Sequence, residues 1–144
     1  MRSPGSAISS TRPRPRRRNK LFRLGWLLRV HGHSMAPCLN PGELVVVREG
    51  AYESRDPQRG ELVAARPASL AGRALVKRVA GLPHERVRLG DREWRLGPGE
   101  FFLLGDRMEH SLDSRALGSV KREELLGPVR LRLWPWTRFS VPPA

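Results

Sequence analysis

Short apolar runs separated by turn residues fill the chain from residue 43 onward. The runs are rich in Val and Leu, and they occupy residues 43–47, 61–65, 74–82, 86–96, 100–104 and 128–134. Several of them alternate apolar and polar positions, which is the period of a half-buried β-strand. Strands that recur about every ten residues are typical of barrels and coiled sheets. The pattern therefore predicts a mainly β fold, a coiled, barrel-like sheet with little helix.

Turn residues show where the chain reverses. Gly90-Asp91 lies between two alternating runs and predicts a tight hairpin, because Gly supplies the positive φ of the first turn position. One short helix is predicted over 119–127, with Ser119 as its N-cap and Gly127 at its end.

Positive charge is concentrated near the amino terminus. The chain has 144 residues and a formal net charge of +13, and residues 1–20 carry seven of its 27 basic residues and no acidic one. Pro and Ser are frequent there, so we expect a disordered basic arm. Such an arm either stays solvated or contacts an anionic membrane surface. The other basic residues are scattered along the predicted strands without interleaved aromatics, which argues against a specific nucleic-acid partner.

Composition divides the rest of the chain into three parts. Residues 21–30 form a short apolar lead-in, residues 31–137 a single β domain, and residues 138–144 a tail. The lead-in is interrupted by two arginines, whereas a membrane-spanning helix needs roughly twenty mostly apolar residues. We expect it to pack on the domain's own core or to lie at a membrane interface. The expected location is cytoplasmic, with peripheral contact to an anionic membrane through residues 1–30 as an option.

Residues 31–39, with the sequence HGHSMAPCL, place a serine on a loop just ahead of a predicted buried strand. Loop residues held by a rigid scaffold often carry chemistry, although most loop serines only form turns. A nucleophilic Ser34 needs a base. His33 is a poor candidate, because adjacent residues of an extended segment point to opposite faces. His31 is three residues away, and we expect it to be solvated.

Lys77 is a better candidate for the base. The chain has 24 arginines and three lysines, and Lys77 lies in the apolar run ALVKRVAGL with Leu75 and Val79 on its side of the predicted strand. Arginine stays charged at any accessible pH, whereas a desolvated lysine amine can lose its proton and act as a general base. The alternative is a surface lysine whose stem follows apolar surface and whose amine reaches water. The residue pattern alone leaves both interpretations open.

A polar segment, GDRMEHSLDSRALG at residues 105–118, follows the apolar run 100–104. Its side chains can support a neighbouring amine, because a hydroxyl positions a neutral lysine without charging it. The alternative is a capped surface loop in which Asp and Arg side chains merely pair with one another.

Taken together, the three segments resemble type I signal peptidases and their relatives, a family of Ser–Lys endopeptidases. SMAPCL at 34–39 is similar to the family's nucleophile box Ser-Met-x-Pro-Thr-Leu, and VKRVAGLP at 76–83 is similar to its base box Lys-Arg-x-x-Gly-x-Pro. Residues 105–118 match the pattern Gly-Asp-x-x-x-x-Ser-x-Asp-Ser-Arg-x-x-Gly. The boxes follow one another in the family's order. The resemblance implies the coiled β fold of the signal peptidase catalytic domain.

The resemblance also implies roles for single residues. Ser34 matches the acyl-forming nucleophile, Lys77 the general base, and Ser111 the serine whose hydroxyl orients the lysine amine. The backbone N–H of Ser34 would form part of the oxyanion hole. Gly32 stands where some relatives supply a serine hydroxyl as the second donor, so that donor would be a backbone N–H or a water molecule.

Further residues are implied as support and as substrate contacts. Asp113 and Arg115 match a structural ion pair beneath the site, and Asp106 belongs to the same supporting box. Met35 and Pro37, beside the nucleophile, are expected to contact the substrate. The implied mechanism uses no cofactor and no metal ion.

Cys38 stands where the family pattern has threonine. It is the chain's one cysteine, so no disulfide can form within the chain. We expect Cys38 to be a small buried filler rather than a reactive thiol.

The implied function is removal of an N-terminal leader or signal peptide from a precursor protein that binds as an extended peptide. Residues 83–104 are all that separates the base box from the Gly-Asp box, whereas many housekeeping signal peptidases carry a large inserted β domain there. With no spanning helix expected, this compact form resembles the bacterial maturation proteases of nickel-type superoxide dismutase. A general type I signal peptidase at the membrane is the alternative.

Two other classes of function compete with the leader peptidase. Self-cleaving repressors share the Ser–Lys dyad and the coiled fold, but they carry a DNA-binding domain ahead of the nucleophile, and 33 residues precede Ser34 here. A basic nucleic-acid-binding module would explain the net charge, yet about half of the excess belongs to residues 1–20.

Overall fold

The computed structural model describes residues 26–134 and 137–138. They contain ten β-strands, one short α-helix and several 3-10 turns. The strands are β1 (Trp26–Arg29), β2 (Leu44–Val47), β3 (Leu62–Ala65), β4 (Leu75–Gly81), β5 (Arg86–Leu89), β6 (Arg92–Arg95), β7 (Glu100–Leu104), β8 (Val120–Lys121), β9 (Leu125–Trp134) and β10 (Thr137–Arg138). The helix α1 spans Ser114–Leu117, and the 3-10 turns lie at Ala51–Glu53, Ala68–Leu70, Met108–His110 and Arg122–Glu124.

Eight strands form one curled antiparallel sheet in the order β1-β2-β9-β3-β4-β7-β8, with β10 paired to β9. The long strand β9 changes partner along its length. Its first part, from Leu125 to Pro128, pairs with β3, and its second part, from Val129 onward, pairs with β2. Strands β5 and β6 form a separate hairpin at the predicted turn. The predicted coiled, mainly β fold is confirmed.

The core consists of two apolar clusters separated by β3. One contains Val30, Met35, Leu39, Val45, Val47, Leu62, Ala64, Val76 and Val129. The other contains Tyr52, Val63, Ala65, Val79, Phe101, Leu103, Val120 and Leu125. Successive residues of β3 therefore enter different clusters, because side chains alternate across a strand. This double burial explains why its sequence is continuously apolar instead of alternating.

The predicted helix over 119–127 is wrong. That stretch contains β8, a 3-10 turn and the start of β9. Gly127 does not end a helix; it pairs with Ala64, and a Cβ at this position would collide with the carbonyl of Arg48. Pairing with distant strands overrides the local helical preference here. The actual helix, α1, lies just before this stretch and is capped by the Asp113 carboxylate.

Part of the lead-in is a strand of the sheet. β1 pairs with β2, and its Trp26 and Leu28 pack against the first core cluster. Packing on the domain's own core is thus confirmed for this part. The predicted basic arm, the start of the lead-in and the end of the predicted tail lie outside the described residues. Across the described part of the chain, no helix has the length and apolar character required to cross a membrane.

Candidate active site

The loop between β1 and β2 presents Ser34. Its backbone turns tightly, with Ala36 N–H donating to His33 O at 3.1 Å and Leu39 N–H donating to Met35 O at 2.8 Å. Met35 and Leu39 are buried in the first core cluster and anchor the loop. Ser34 is half-buried at the end of this anchored turn. The core therefore holds the serine at a defined position above β4.

Lys77 lies in the middle of β4 and meets Ser34. Its side chain is only 5% exposed, and its Nζ donates to Ser34 Oγ at 2.5 Å. Burial lowers the pKa of the Lys77 amine below its ordinary value, although the charges of Asp113 and Asp106 act in the opposite direction. The alternative of a lysine that reaches water is wrong, because the amine ends on the serine hydroxyl inside the protein.

The histidines beside the serine do not take this position. His31 and His33 are both exposed. The argument made from the sequence against His33 assumed an extended segment, and the segment is a turn. That assumption was wrong. The residue that contacts Ser34 Oγ is nevertheless Lys77 and not His33.

The predicted ion pair of Asp113 and Arg115 is present. Arg115 Nε donates to Asp113 Oδ1 at 2.9 Å and its Nη2 to Oδ2 at 3.1 Å, while Gly105 N–H donates to Oδ2 at 3.0 Å. The Asp113 residue is 1% exposed. Burial alone would raise the pKa of the Asp113 carboxyl, but bonds from Arg115 and Gly105 hold it below its ordinary value. The carboxylate thereby fixes the loop that follows β7 and caps α1.

Ser111 lies beside the nucleophile without a bond to the lysine. Its Oγ is buried and makes no well-aligned hydrogen bond with a described residue, although it lies close enough to the Asp113 carboxylate to help lower the pKa of that carboxyl. A Cβ at Gly105 would collide with the Ser111 side chain and approach the carbonyl oxygen of Ser34 to 2.9 Å. Ser111, Gly105 and the nucleophile loop are therefore in close contact. The predicted role of Ser111 in orienting the Lys77 amine stays a prediction.

Arg78, which the sequence argument did not single out, connects the base strand to the supporting loop. Its Nε and Nη2 donate to the two oxygens of Asp106 at 2.8 and 2.9 Å. A further Nη2 contact reaches Cys38 Sγ at 3.7 Å, so half-buried Cys38 both fills space and accepts a weak bond. Arg107 N–H donates to Ser34 O at 2.8 Å. Asp106 thus supports the site through Arg78, and the loop after β7 holds the nucleophile loop directly.

A cleft of about 110 Å³ opens beside the two residues. Residues of β1, the nucleophile loop and the start of β4 line it, among them Val30, Ser34, Met35 and Lys77. Met35 therefore contributes to both the core and the cleft, and its contact with substrate stays a prediction. Pro37 is exposed and is not among the lining residues, so its predicted contact finds no support in the cleft.

Two strand edges face this cleft without partners among the described residues. β1 pairs on one edge only, with β2. β4 pairs with β7 from Arg78 onward, which leaves residues 75–77 without a partner on that edge. Unpaired edges have exposed backbone donors and acceptors and can accept an added strand.

Three comparisons relate the chain to known proteins. The family model "Signal peptidase, peptidase S26" matches residues 21–96 and 90–134. The chain is 31% identical to "Probable signal peptidase I-2" of Synechocystis, over 78% of this chain and 64% of that protein. It is 32% identical to "Mitochondrial inner membrane protease subunit 2" of Danio rerio, over 85% of this chain and 74% of that protein. A solved signal peptidase I of Enterococcus faecalis aligns with a TM-score of 0.44 at 23% identity, over 52% of this chain and 97% of that chain.

Proposed function

The chain belongs to the signal peptidase family, peptidase S26, a family of serine endopeptidases, and on that premise we propose that Ser34 and Lys77 are its catalytic dyad. The observation that carries the proposal is the 2.5 Å contact between a buried lysine amine and a serine hydroxyl. No carboxylate forms a salt bridge with Lys77 among the described residues. The amine can therefore become neutral at lower pH than an exposed lysine.

In the proposed mechanism the neutral Lys77 amine accepts the proton of Ser34 Oγ as the oxygen attacks the scissile carbonyl. The resulting ammonium then donates that proton to the leaving amine, and an acyl-enzyme remains on Ser34. Water completes hydrolysis, again with Lys77 as the base. The backbone N–H groups of Ser34 and Gly32 donate to no group in the described part of the chain. They are the proposed donors to the oxyanion.

The substrate is proposed to bind as an extended peptide in the cleft. There it would pair with the free edges of β1 and β4, so that main-chain hydrogen bonds supply affinity. The cleft is small, and Met35 forms part of its wall. Small side chains next to the scissile bond fit this volume best.

Two substrate classes are consistent with the family. The matched relatives are described as signal peptidases or as an inner membrane protease, which favours secretory or other membrane-associated precursors. The short connection between β4 and β7, a single hairpin, favours a compact maturation protease that acts on the leader of a nickel-type superoxide dismutase. The chain spans about 64% of the length of the Synechocystis protein. Because the matched relatives include general signal peptidases, that substrate class fits at least as well.

A side-by-side cleavage assay tests the proposal. Purified chain is incubated with a secretory precursor carrying an Ala-x-Ala site and, separately, with a nickel superoxide dismutase precursor. Mass spectrometry identifies the new amino terminus. The Ser34→Ala variant is the matched control in both assays. Cleavage of neither precursor, or equal cleavage by the Ser34→Ala variant, would contradict the proposed activity. Cleavage of one precursor alone assigns the substrate class.

Location is tested separately by fractionating cells that express the untagged chain. Recovery in the membrane fraction that is lost after a high-salt wash indicates peripheral, electrostatic attachment. Recovery in the soluble fraction supports the cytoplasmic location.

A further inference from the structure

The β5–β6 hairpin connects β4 to β7, and its root is packed tightly against both strands. Gly81, at the end of β4, has no room for a side chain, because a Cβ there would lie 2.6 Å from a methyl group of Val87. Side-chain atoms of Leu96 and Phe102 would each lie 2.9 Å away. The ring of Trp94 also lies against that of Phe102, with the two centroids 4.8 Å apart. The root of the hairpin is therefore held in place by close packing.

Arg92, beside the turn of this hairpin, reaches across to α1. Its guanidinium carbon lies 4.5 Å from the centroid of the Trp94 ring, which is the distance of a cation–π contact. Its Nη2 donates to the carbonyl oxygen of Arg115 at 2.9 Å. Since a guanidinium is planar, stacking on Trp94 also orients the donors of Arg92.

The Arg115 carbonyl belongs to a helix that is too short to bond all of its own backbone. α1 has four residues, and the last carbonyls of any helix find no N–H partner within it. Asp113 O and Ser114 O accept N–H groups from α1 and from its C-cap. Arg115 O instead accepts from Arg92. The hairpin thus supplies a donor that the helix itself lacks.

Hydrogen bonds continue from α1 to the nucleophile loop. Asp113 Oδ1 accepts from the backbone N–H of Arg115 at 3.1 Å, and Oδ2 of the same carboxylate accepts from Gly105 N–H at 3.0 Å. Two residues after this glycine, Arg107 N–H donates to Ser34 O at 2.8 Å. A displacement of the Arg115 backbone would therefore be passed on to the loop that holds Ser34.

We propose that Arg92 is a positioning residue for the Ser34–Lys77 pair. The hairpin is rooted on the strand that carries Lys77, and through Arg92 it holds the helix and loop that support Ser34. It thus links the two halves of the pair by a route outside the main sheet. The effect on catalysis rests on the proposed peptidase function, whereas the effect on the position of the Ser34 loop does not.

Residue-resolved amide hydrogen exchange of the full chain tests the proposal without depending on peptidase activity. Arg92→Met keeps a long side chain and removes the donor. Exchange should become about threefold to tenfold faster at Gly118, Gly105 and Arg107, on the scale of one lost hydrogen bond. Arg92→Lys keeps a donor and a cation over the ring of Trp94, and its exchange should stay within about twofold of the parent.

The matched control is Arg95→Met, which makes the same change of charge in the same strand. The Arg95 side chain is 72% exposed, and the variant should exchange like the parent at all three amides. Parental exchange in Arg92→Met, or equal acceleration in Arg95→Met, would overturn the proposal. Acceleration at Gly118 alone would show that Arg92 only caps α1, which would overturn it as well. Thermal unfolding curves confirm that each variant is folded.

Kinetics then tests whether the position of the loop matters for catalysis. In single-turnover cleavage of a precursor, Arg92→Met should acylate about threefold to tenfold more slowly with little change in KM, and Arg92→Lys should restore the rate. Faster exchange combined with a parental acylation rate would overturn the role of Arg92 in the reaction. If the parent cleaves no precursor, the proposed peptidase function fails, and the exchange rates still decide whether Arg92 positions the Ser34 loop.

Discussion

Two neighbouring cations of β4 have opposite environments. Lys77 faces the interior, is 5% exposed and ends on the Ser34 hydroxyl, and burial lowers the pKa of its amine. Arg78 faces the other way and binds Asp106 through two hydrogen bonds, which raise the pKa of its guanidinium. One strand thus presents a cation that can lose its charge and another that is kept charged. The fold, and not the residue type alone, therefore decides which cation can act as a base.

The largest effect should come from removing the dyad. Ser34→Ala, Lys77→Ala and Lys77→Arg should each lower kcat/KM by about 10⁴-fold or more. The Ser34→Ala/Lys77→Ala double variant should be no worse than either single one, since the two residues act as a unit. Lys77→Arg is decisive, because arginine keeps a positive charge but cannot accept the proton. Activity in Lys77→Arg within tenfold of the parent would remove Lys77 from the role of base.

The second effect concerns stability. Asp113→Asn should lower the free energy of unfolding by about 2–4 kcal/mol, because it leaves Arg115 without its charged partner. Urea denaturation measures the change, and Asp91→Asn in the β5–β6 turn is the control, with an expected change below about 0.5 kcal/mol. The Asp113 carboxyl has a lowered pKa, so its contribution is present above the ordinary carboxyl pKa and is lost as pH falls through the lowered one. A difference between parent and variant that persists unchanged in strong acid would contradict this account.

The third effect is the pH dependence of the dyad. Below the lowered pKa of Lys77, the rate of acylation should rise about tenfold per pH unit and then level off. No second rise should appear in the profile. The measurement is a single-turnover rate profile, which isolates acylation.

The Lys77 amine should also make the free energy of unfolding depend on pH. Because the unfolded chain holds the Lys77 proton more tightly than the folded one, stability should rise with pH between the lowered and the ordinary lysine pKa. Lys77→Met removes this slope, and it should stabilise the fold at neutral pH by about 1–2 kcal/mol. Arg78→Met should destabilise it instead. If Lys77→Met and Arg78→Met shift the midpoint of unfolding in the same direction, burial does not distinguish Lys77 from Arg78 as proposed.

The fourth effect is smaller and tests the supporting side of β4. Asp106→Asn should lower kcat about threefold to tenfold with little change in KM, since the partly exposed pair with Arg78 only positions the loop that binds Ser34 O. Arg78→Lys should have a similar effect, because an ammonium cannot reproduce the paired contact. Steady-state kinetics separates the two parameters. A change in KM alone would assign the pair to substrate binding.

The smallest effect is expected for the histidines. His33→Ala and His31→Ala should each retain activity within about threefold of the parent, with any loss in His31→Ala appearing in KM, because His31 lines the cleft. The same cleavage assay measures both variants. A loss of a hundredfold in His33→Ala, the scale of a missing general base, would mean that the base has been assigned to the wrong residue.

The sequence correctly predicted the strands and turns that are determined by neighbouring residues. Alternating runs marked β5 and β6, and Gly90-Asp91 marked the turn between them. The helix prediction for residues 119–127 was wrong because a charged, leucine-containing stretch favours a helix locally. Its actual conformation is determined by pairing with strands that are distant in the sequence. Leu125 pairs with Ala65, a partner that no local pattern identifies.

The candidate site likewise contains residues that the sequence identifies and residues whose role depends on distant strand pairing. Lys77 became a candidate because a lysine in an apolar run is unusual in a chain that otherwise uses arginine. The resemblance to the family's three boxes then implied the roles of Ser34 and Lys77. Arg78 belongs to the base box, but its role could not be predicted, because its partner Asp106 lies 28 residues away and is brought close only by the pairing of β4 with β7. Burial of Lys77 likewise depends on the turn of the Ser34 loop above it.

The change of partner along β9 has a consequence for biosynthesis. The strand that carries Lys77 joins the strand that follows Ser34 only through the path β4-β3-β9-β2. Among the described residues β9 is the last long strand in chain order, so Ser34 and Lys77 have no shared sheet until residues 125–134 leave the ribosome. Pairing that spans so much sequence forms slowly. A nascent chain would therefore remain without a completed Ser34–Lys77 pair until β9 has been synthesised.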